Sequence, residues 1–268
     1  MPRMSVVGHV EWVDFLEVDR FPGPGELLQA QRAFARAAGG GGVAAVVMAE
    51  LGAEVDFFCA LGRDSLGETA AGQLRQRGVR VIPAWRDQPT RRAITLLQAD
   101  GERTIVTIGA RLEPLGSDEL DWDRLRSADG AYFTAGDPQA LAHARQARML
   151  VASPRARSAL VADGPCIDAL VFSAGDRDEC EWARQVAGRA RLSVATEGAR
   201  GGTWSEPSGG GGRWRAQPPP GPPHDAFGCG DSFAAAFTFG LASEMSVAEA
   251  AELGASVGAR CLTRAGAP

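Results

Sequence analysis

The sequence predicts an α/β fold in which helices cover a mostly parallel sheet and a small β-sheet lid projects from it. Short apolar runs rich in β-branched residues, at 5–8, 55–60, 79–83, 131–134, 169–172 and 192–195, alternate with segments of helical period at 43–51, 66–77, 139–148 and 178–187. That alternation is the pattern of successive βαβ units. Glycines stand where helices must end, Gly52 after Leu51 and Gly78 after Arg77, each able to take the left-handed turn that closes a helix. Two stretches, 11–31 and 93–108, break the alternation; strands inserted there are expected to pair into the lid.

Taken in order, the first insertion carries FPGPGE at its centre, and the second places Asp100-Gly101 between ITLLQ and RTIVTI, which predicts a hairpin with a two-residue turn. Residues 208–223, SGGGGRWRAQPPPGPP, form a Gly-rich and then Pro-rich loop. It is expected to lie within one domain, because the roughly 45 residues after it are too few to bury a core of their own. The expectation is therefore a single domain over 1–268, with lid strands at about 11–31 and 93–108.

Composition narrows the chemistry. With 45% hydrophobic residues the chain can bury a substantial core, and a net charge of −5 with a pI near 5.4 gives no electrostatic footprint for nucleic acid. No apolar run reaches the ~18 residues needed to span a bilayer, and the opening MPRMSVVGHVEW lacks the apolar core of a signal peptide; the expectation is a cytoplasmic protein with neither membrane nor nucleic-acid partners. The five cysteines are widely spaced without a C-x-x-C pair, which indicates neither a disulfide framework nor a zinc site. Lysine and asparagine are absent altogether. A Walker A loop and a lysine Schiff base are thereby excluded. His9, His143 and His224 are scattered and match no metal-binding spacing, so structural roles are expected.

The segment that carries chemistry runs from Asp225 to Phe233, followed by the amphipathic AAAFTFGLA. Glycines opening a helix let backbone N–H groups converge, and a helix N-terminus favours negative charge, so the two together form a hole for a phosphoryl group. Asp231, in that first turn, has two readings. One is a carboxylate that offsets the helix dipole; the other is a base that takes the proton of an attacking alcohol while the neighbouring N–H groups hold the transferred phosphoryl.

This run resembles the signature of the ribokinase-like (PfkB) carbohydrate kinase family, Asp-Thr-x-Gly-Ala-Gly-Asp-x-Phe, with Ala226 in place of the Thr and Cys229 in place of the Ala. The likeness extends along the chain: FPGPGE, the stretch GGGGVAAVVMAELGAEVDFFCALGRDSLGE, the lid-like TRRAITLLQADGERTIV, and the turn from Thr196 to Gly201 all resemble family motifs in the family's order. The resemblance implies a three-layer α/β/α ribokinase-like fold with a small β-sheet lid, and transfer of phosphoryl from Mg²⁺·ATP to a hydroxyl of a sugar-like acceptor. It implies Asp231 as catalytic base with the amides of Gly228, Cys229 and Gly230 as the anion hole. Thr196, Gly198 and Gly201 become candidate ATP contacts. Gly40 and Gly41 become acceptor contacts, and Asp225 with the Phe227 carbonyl a site for a monovalent cation such as K⁺. It further implies a homodimer through the lid.

Departures from the family pattern concentrate on the acceptor side. Where family kinases carry Asn-x-x-Glu, the best register here gives Ser173 and Asp176, with Glu179 three further on; Asp176 and Glu179 also suit the first turn of a helix. Glu11 takes the place of an Asn, Val13 that of the sugar-binding Asp, and Val43 that of another Asn. Asp14 lies one residue late, and a one-residue slip in a strand points a side chain to the opposite face unless a bulge intervenes. Either the acceptor differs from ribose or fructose and is met by Glu11, Trp12 or Asp14, or the site has lost function. A nucleoside kinase of the same fold and a non-catalytic ligand-binding relative are the alternatives. A dinucleotide-binding dehydrogenase would need G-x-G-x-x-G after the first strand, which Gly8-His9-Val10-Glu11 does not supply.

Overall fold

The protein is described here by a computed structural model covering residues 1–98, 101–161, 164–266 and 268. The chain opens with β1 (Arg3–Val7), leaves the main sheet for β2 (Glu11–Val18) and β3 (Arg32–Ala38), and returns through α1 (Gly39–Glu50), β4 (Glu54–Gly62), α2 (Ser65–Gln76) and β5 (Val79–Arg86). It leaves again for β6 (Arg92–Gln98) and β7 (Arg103–Ile108), then re-enters as β8 (Gly130–Phe133). Next come α3 (Pro138–Ala144), β9 (Met149–Ala152), the one-turn α4 (Arg157–Leu160), β10 (Ala169–Ser173), α5 (Arg177–Val186) and β11 (Ser193–Thr196). A hairpin of β12 (Gly202–Ser205) and β13 (Gly211–Trp214) precedes the final helices, α6 (Cys229–Ala242) and α7 (Val247–Cys261).

The main sheet has the order β13-β12-β11-β10-β9-β8-β1-β4-β5, parallel from β5 to β11 and antiparallel at β12 and β13. Both of its faces are buried, which is why the parallel strands are runs of apolar residues rather than alternations. From β1, Met4 and Val6 join the core under α1, α2 and α6, while Val7 joins the opposite core under α3 and α5. The result is the expected three layers. Gly52 and Gly78 have φ of 89° and 83°, the left-handed turns that end α1 and α2.

The second sheet has the order β3-β2-β6-β7, with β2 and β6 parallel and Val13 opposite Ala93. In β2, Glu11, Val13 and Phe15 are buried against the main domain, and Trp12, Asp14 and Leu16 lie on the outer face. Phe15 stacks on Phe34 and meets Phe227 edge-on, both at 5.0 Å, which seats the lid against the loop before α6.

Several local expectations change. α1 begins at Gly39, four residues before the predicted 43, because the glycine run is helical rather than a preceding loop. At the β6–β7 connection Gln98 N–H donates to Glu102 O and Gly101 N–H to Gln98 O, with Gly101 at φ 87°. Asp100, half of the predicted turn, lies outside the described residues. The Gly-rich stretch at 208–223 contains a strand, β13, since a Cβ at Gly212 would stand 2.8 Å from the Trp204 ring packed over it. Strand β3, an Ala and Arg alternation without an apolar run, had no sequence signal, and β9 and α7 also lie outside the predicted segments. All five cysteines are free, and among the described residues no helix is long and apolar enough to cross a membrane.

Candidate active site

Parallel α/β sheets place their functional groups beyond the carboxyl ends of the strands. Here that edge carries His9 after β1, Thr134 after β8, Arg155 after β9, Glu179 beyond β10 and the 196–201 turn after β11. Gly228 is the N-cap of α6 at φ 73°, with no side chain capping it. Ser232 N–H makes the first helical bond, to Gly228 O at 2.8 Å, and Cys229 N–H has only a long contact of 3.4 Å to Ala226 O. The amides of Gly230 and Asp231 therefore carry no helical partner. A Cβ at Gly230 would meet nothing within 4 Å, so packing does not require this glycine and open space stands beside its amide. Of the three residues expected to form the hole, Gly228 is the N-cap and Cys229 and Gly230 are the first two residues of α6.

Asp225 holds this loop in place. Its Oδ1 accepts from Phe227 N–H at 2.8 Å and its Oδ2 from Gly266 N–H at 2.7 Å, with the residue 1% exposed. The Phe227 carbonyl in turn accepts from Cys261 Sγ at 3.3 Å.

The Asp231 carboxylate lies against the start of α1. A Cβ on Gly40 would fall 2.8 Å from Asp231 Oδ1 and 3.3 Å from Thr134 Oγ1, so any larger residue would displace the carboxylate. Gly41 answers to packing instead, because a Cβ there would stand 2.8 Å from His9 O and from the Phe57 ring. Loss of hydration lifts the Asp231 carboxyl from 3.8 to about 6; Arg155 and Arg111 oppose the shift, while Glu179 and Glu11 add to it. Arg155 pairs with Glu179 at 2.6 Å and lies 3.5 Å from Asp176.

Asp176 and Glu179, the two acidic residues after β10, are held differently. Asp176 Oδ1 accepts from the N–H groups of Asp178 and Glu179 at 3.0 and 3.1 Å, the work of a helix N-cap. Glu179 is 7% exposed, and its Oε2 accepts from Ser173 N–H at 2.8 Å. Ser173 thus enters the site through its backbone.

On the lid side, Glu11 Oε2 stands 3.0 Å from Arg91 Nε, but the N–H is not aimed along that line, and both atoms are buried without a hydrogen bond. Thr134 Oγ1 is likewise buried and unpartnered. Burial raises the Glu11 carboxyl despite Arg91. Arg111 donates to Thr134 O at 3.0 Å and contacts His9 Nδ1 at 3.1 Å. Asp14 is separated from this cluster: it points to the outer face of the lid, paired with Arg92 at 3.0 Å, as the strand alternation requires. Val13 is fully buried on the inner face.

The 196–201 turn is closed by Glu197 N–H to Gly201 O at 2.7 Å, and Thr196 Oγ1 donates to Phe172 O at 3.3 Å. Gly198 has φ 57°; Gly201 has φ 90°, and a Cβ there would fall 2.2 Å from Trp214 O. Both glycines are demanded by the backbone. The turn lies on the same edge as α6 but no described side chain links it to Asp231.

A family model for the pfkB family carbohydrate kinases matches residues 1–159 and 167–268. The chain belongs to that family. Among relatives of this pfkB-family protein, the ATP-dependent ribose-1-phosphate kinase of Halopiger xanaduensis is 33% identical over 151 residues, 53% of this chain and 49% of that protein. The ribokinase of Arabidopsis thaliana is 29% identical over 132 residues, 48% of this chain and 33% of that protein. The matches span about half and a third of those relatives' lengths. The solved structure of the Arabidopsis thaliana ribokinase complexed with ribose and ATP superposes with a TM-score of 0.77 at 21% identity, covering 99% of this chain and 94% of that one. The fold of this pfkB-family chain is therefore that of the ribokinases.

Sequence reasoning missed Arg155, Arg111, Arg91 and Thr134 and treated His9 as structural. A usable signal existed for two of them: Thr134 and Arg155 are polar residues within three positions of a strand's carboxyl end.

Proposed function

We propose that this protein transfers the γ-phosphoryl group of ATP to a hydroxyl of a sugar or sugar-like molecule, with Asp231 as the base. The observation that carries the reading is the Asp231 carboxylate, enclosed against Gly40 and one turn from unpartnered amides at the start of α6. The names of the two relatives, a ribose-1-phosphate kinase and a ribokinase, support it.

In this reading the acceptor hydroxyl lies over Gly40 and gives its proton to Asp231 as its oxygen bonds to the γ-phosphorus. The bond from the γ-phosphorus to the β–γ bridging oxygen breaks, and ADP leaves. The N–H groups of Cys229, Gly230 and Asp231 face the charge that spreads over the transferred phosphoryl. With its carboxyl near 6, Asp231 is ionised at neutral pH yet basic enough to hold the proton. The lid excludes water from the transfer. On the nucleotide side, the 196–201 turn and the edge at Ser173 are the proposed ATP contacts.

Mg²⁺, when bound, would neutralise charge on the triphosphate. Glu179 is the residue placed to meet it, through water, since its own oxygens are already held by Ser173 N–H and Arg155. The monovalent-cation site does not fit this chain as well: both Asp225 oxygens accept backbone N–H groups and the Phe227 carbonyl accepts a thiol. No step is assigned to such a cation.

The test is ADP formation with Mg²⁺·ATP over a panel of sugars, sugar phosphates and polyols, with Asp231→Asn alongside. Acceptor-dependent turnover that collapses in the folded variant is expected; silence of the wild type across the panel, with ATP still bound, would sink the assignment. A homodimer through the lid is proposed as well, because every residue of the edge strand β7 is exposed, including Ile105, Val106 and Ile108. Sedimentation velocity is expected to give a dimer that Val106→Glu converts to monomer. A monomeric wild type would refute it.

A further inference from the structure

We infer that His9 is a specificity residue: a neutral imidazole, locked in the Nε2–H tautomer by Arg111, that donates a hydrogen bond to a non-reacting oxygen of the acceptor. The inference rests on the kinase reading for its acceptor, but the tautomer stands on geometry alone.

Arginine side chains only donate hydrogen bonds. The 3.1 Å contact between Arg111 Nη2 and His9 Nδ1 therefore requires a lone pair on Nδ1. The same Arg111 nitrogen donates to Thr134 O at 3.0 Å, which fixes the guanidinium at the carboxyl end of β8 and leaves it no freedom to turn away. A neutral ring with a bare Nδ1 carries its proton on Nε2. The surroundings oppose a second proton: burial first, then Arg111, Arg91 and Arg155, hold the imidazole well below its ordinary 6.5. Glu11 and Glu113 pair with Arg91 and Arg111 at 3.0 and 3.3 Å.

The Nε2 edge of the ring lies beside the start of α1. A Cβ built on Gly39 would stand 3.0 Å from His9 Nε2, so the ring lies directly on the residue next to Gly40, whose own surface is the Asp231 carboxylate. Among the described residues, no hydrogen-bond partner faces Nε2. A donor held in one direction beside the proposed reacting hydroxyl, with the Glu11 carboxylate nearby as an acceptor, suits a polyhydroxylated molecule. One oxygen accepts from His9, and a neighbouring O–H donates to Glu11. This arrangement compensates for Val13, which brings no polar group to the inner face of β2.

The experiment begins with imidazole ¹⁵N spectra of the labelled full chain, with His9 assigned by His143→Gln and His224→Gln. The expected result is an unprotonated Nδ1 and a protonated Nε2, unchanged from pH 5.5 to 8.5 on the reasoning that the three arginines never release their charge. A protonated Nδ1, or a titration inside that range, overturns the inference.

Kinetics then test what the N–H does. His9→Ala is expected to raise the acceptor KM about tenfold, the scale of one hydrogen bond, with the ATP KM unchanged. His9→Gln, whose amide nitrogen reaches the Nε2 position, recovers most of that loss. An unchanged acceptor KM in His9→Ala, or an equal loss in both variants, overturns the role. If the wild type turns over nothing, the kinase reading fails by itself and the His9 Nε2–H signal is followed during titration with D-ribose and with D-ribose 1-phosphate: a shift keeps the donor role, and no shift with either removes it.

Discussion

Replacing Asp231 by Asn is expected to destroy activity and stabilise the fold, a combination that distinguishes a catalytic carboxylate from a helix-dipole carboxylate. Lifting the carboxyl from 3.8 to about 6 costs its ionised form about 3 kcal/mol at neutral pH. Solvent relaxation around a half-buried residue reduces this to about 1–2 kcal/mol. The folded value lies above the unfolded one, so the wild type loses stability as pH rises from about 4 to about 6, and the amide variant does not. Thermal melts at pH 8 should therefore place Asp231→Asn about 3–6 °C above the wild type, at the scale of a few degrees per kcal/mol for a chain of this size, with the gap narrowing at pH 5. The ADP assay should show kcat down by about 10²–10⁴, the range of general-base catalysis. A variant that melts lower at pH 8 would refute the electrostatic argument, because the carboxylate would then be stabilising where it stands; full activity would refute the role as base.

Arg155 is the strongest influence holding the Asp231 carboxyl down. Arg155→Met should move the acid limb of the kcat/KM profile toward neutral pH, with a loss of about tenfold at pH 6 and less at pH 8.5, and should lower stability by about 1–2 kcal/mol through the stranded Glu179; an unmoved acid limb would contradict this. Gly40→Ala inserts a methyl 2.8 Å from Asp231 Oδ1, so turnover should fall about 10²-fold while circular dichroism and melting change little. Unimpaired turnover would mean that the acceptor does not lie over Gly40.

Periodicity located most of the parallel strands and their helices because strands buried on both faces are continuous apolar runs, which leave a mark independent of context. β3 left no such mark: its Ala and Arg alternation becomes a strand only because β2 offers it an edge. The glycine run at 39–42 looked like a loop by propensity, yet helix α1 needs glycine there for close approach to His9, Phe57 and Asp231, a tertiary demand that propensity cannot register. In the site, Asp231 and the glycines before it were legible because their chemistry is local to one turn. Arg111 was not, since it matters only after folding brings it against His9, 102 positions away. Register arithmetic alone could not tell Asp176 from Glu179; the fold gives Asp176 the cap of α5 and buries Glu179 against Arg155 and Ser173 N–H.

The positive charge acting on Asp231 and His9 is all guanidinium, Arg111 and Arg155 on both and Arg91 on His9, in a chain without a single lysine. Amines in such a place would be buffers and targets: they would titrate, acylate, carbamylate and react with aldehyde-bearing sugars. Guanidinium groups do none of these readily at physiological pH. A pocket proposed to receive reducing sugars is thus lined with cations that do not condense with their carbonyl carbon, and its field stays constant while the carboxylates alone respond to the medium.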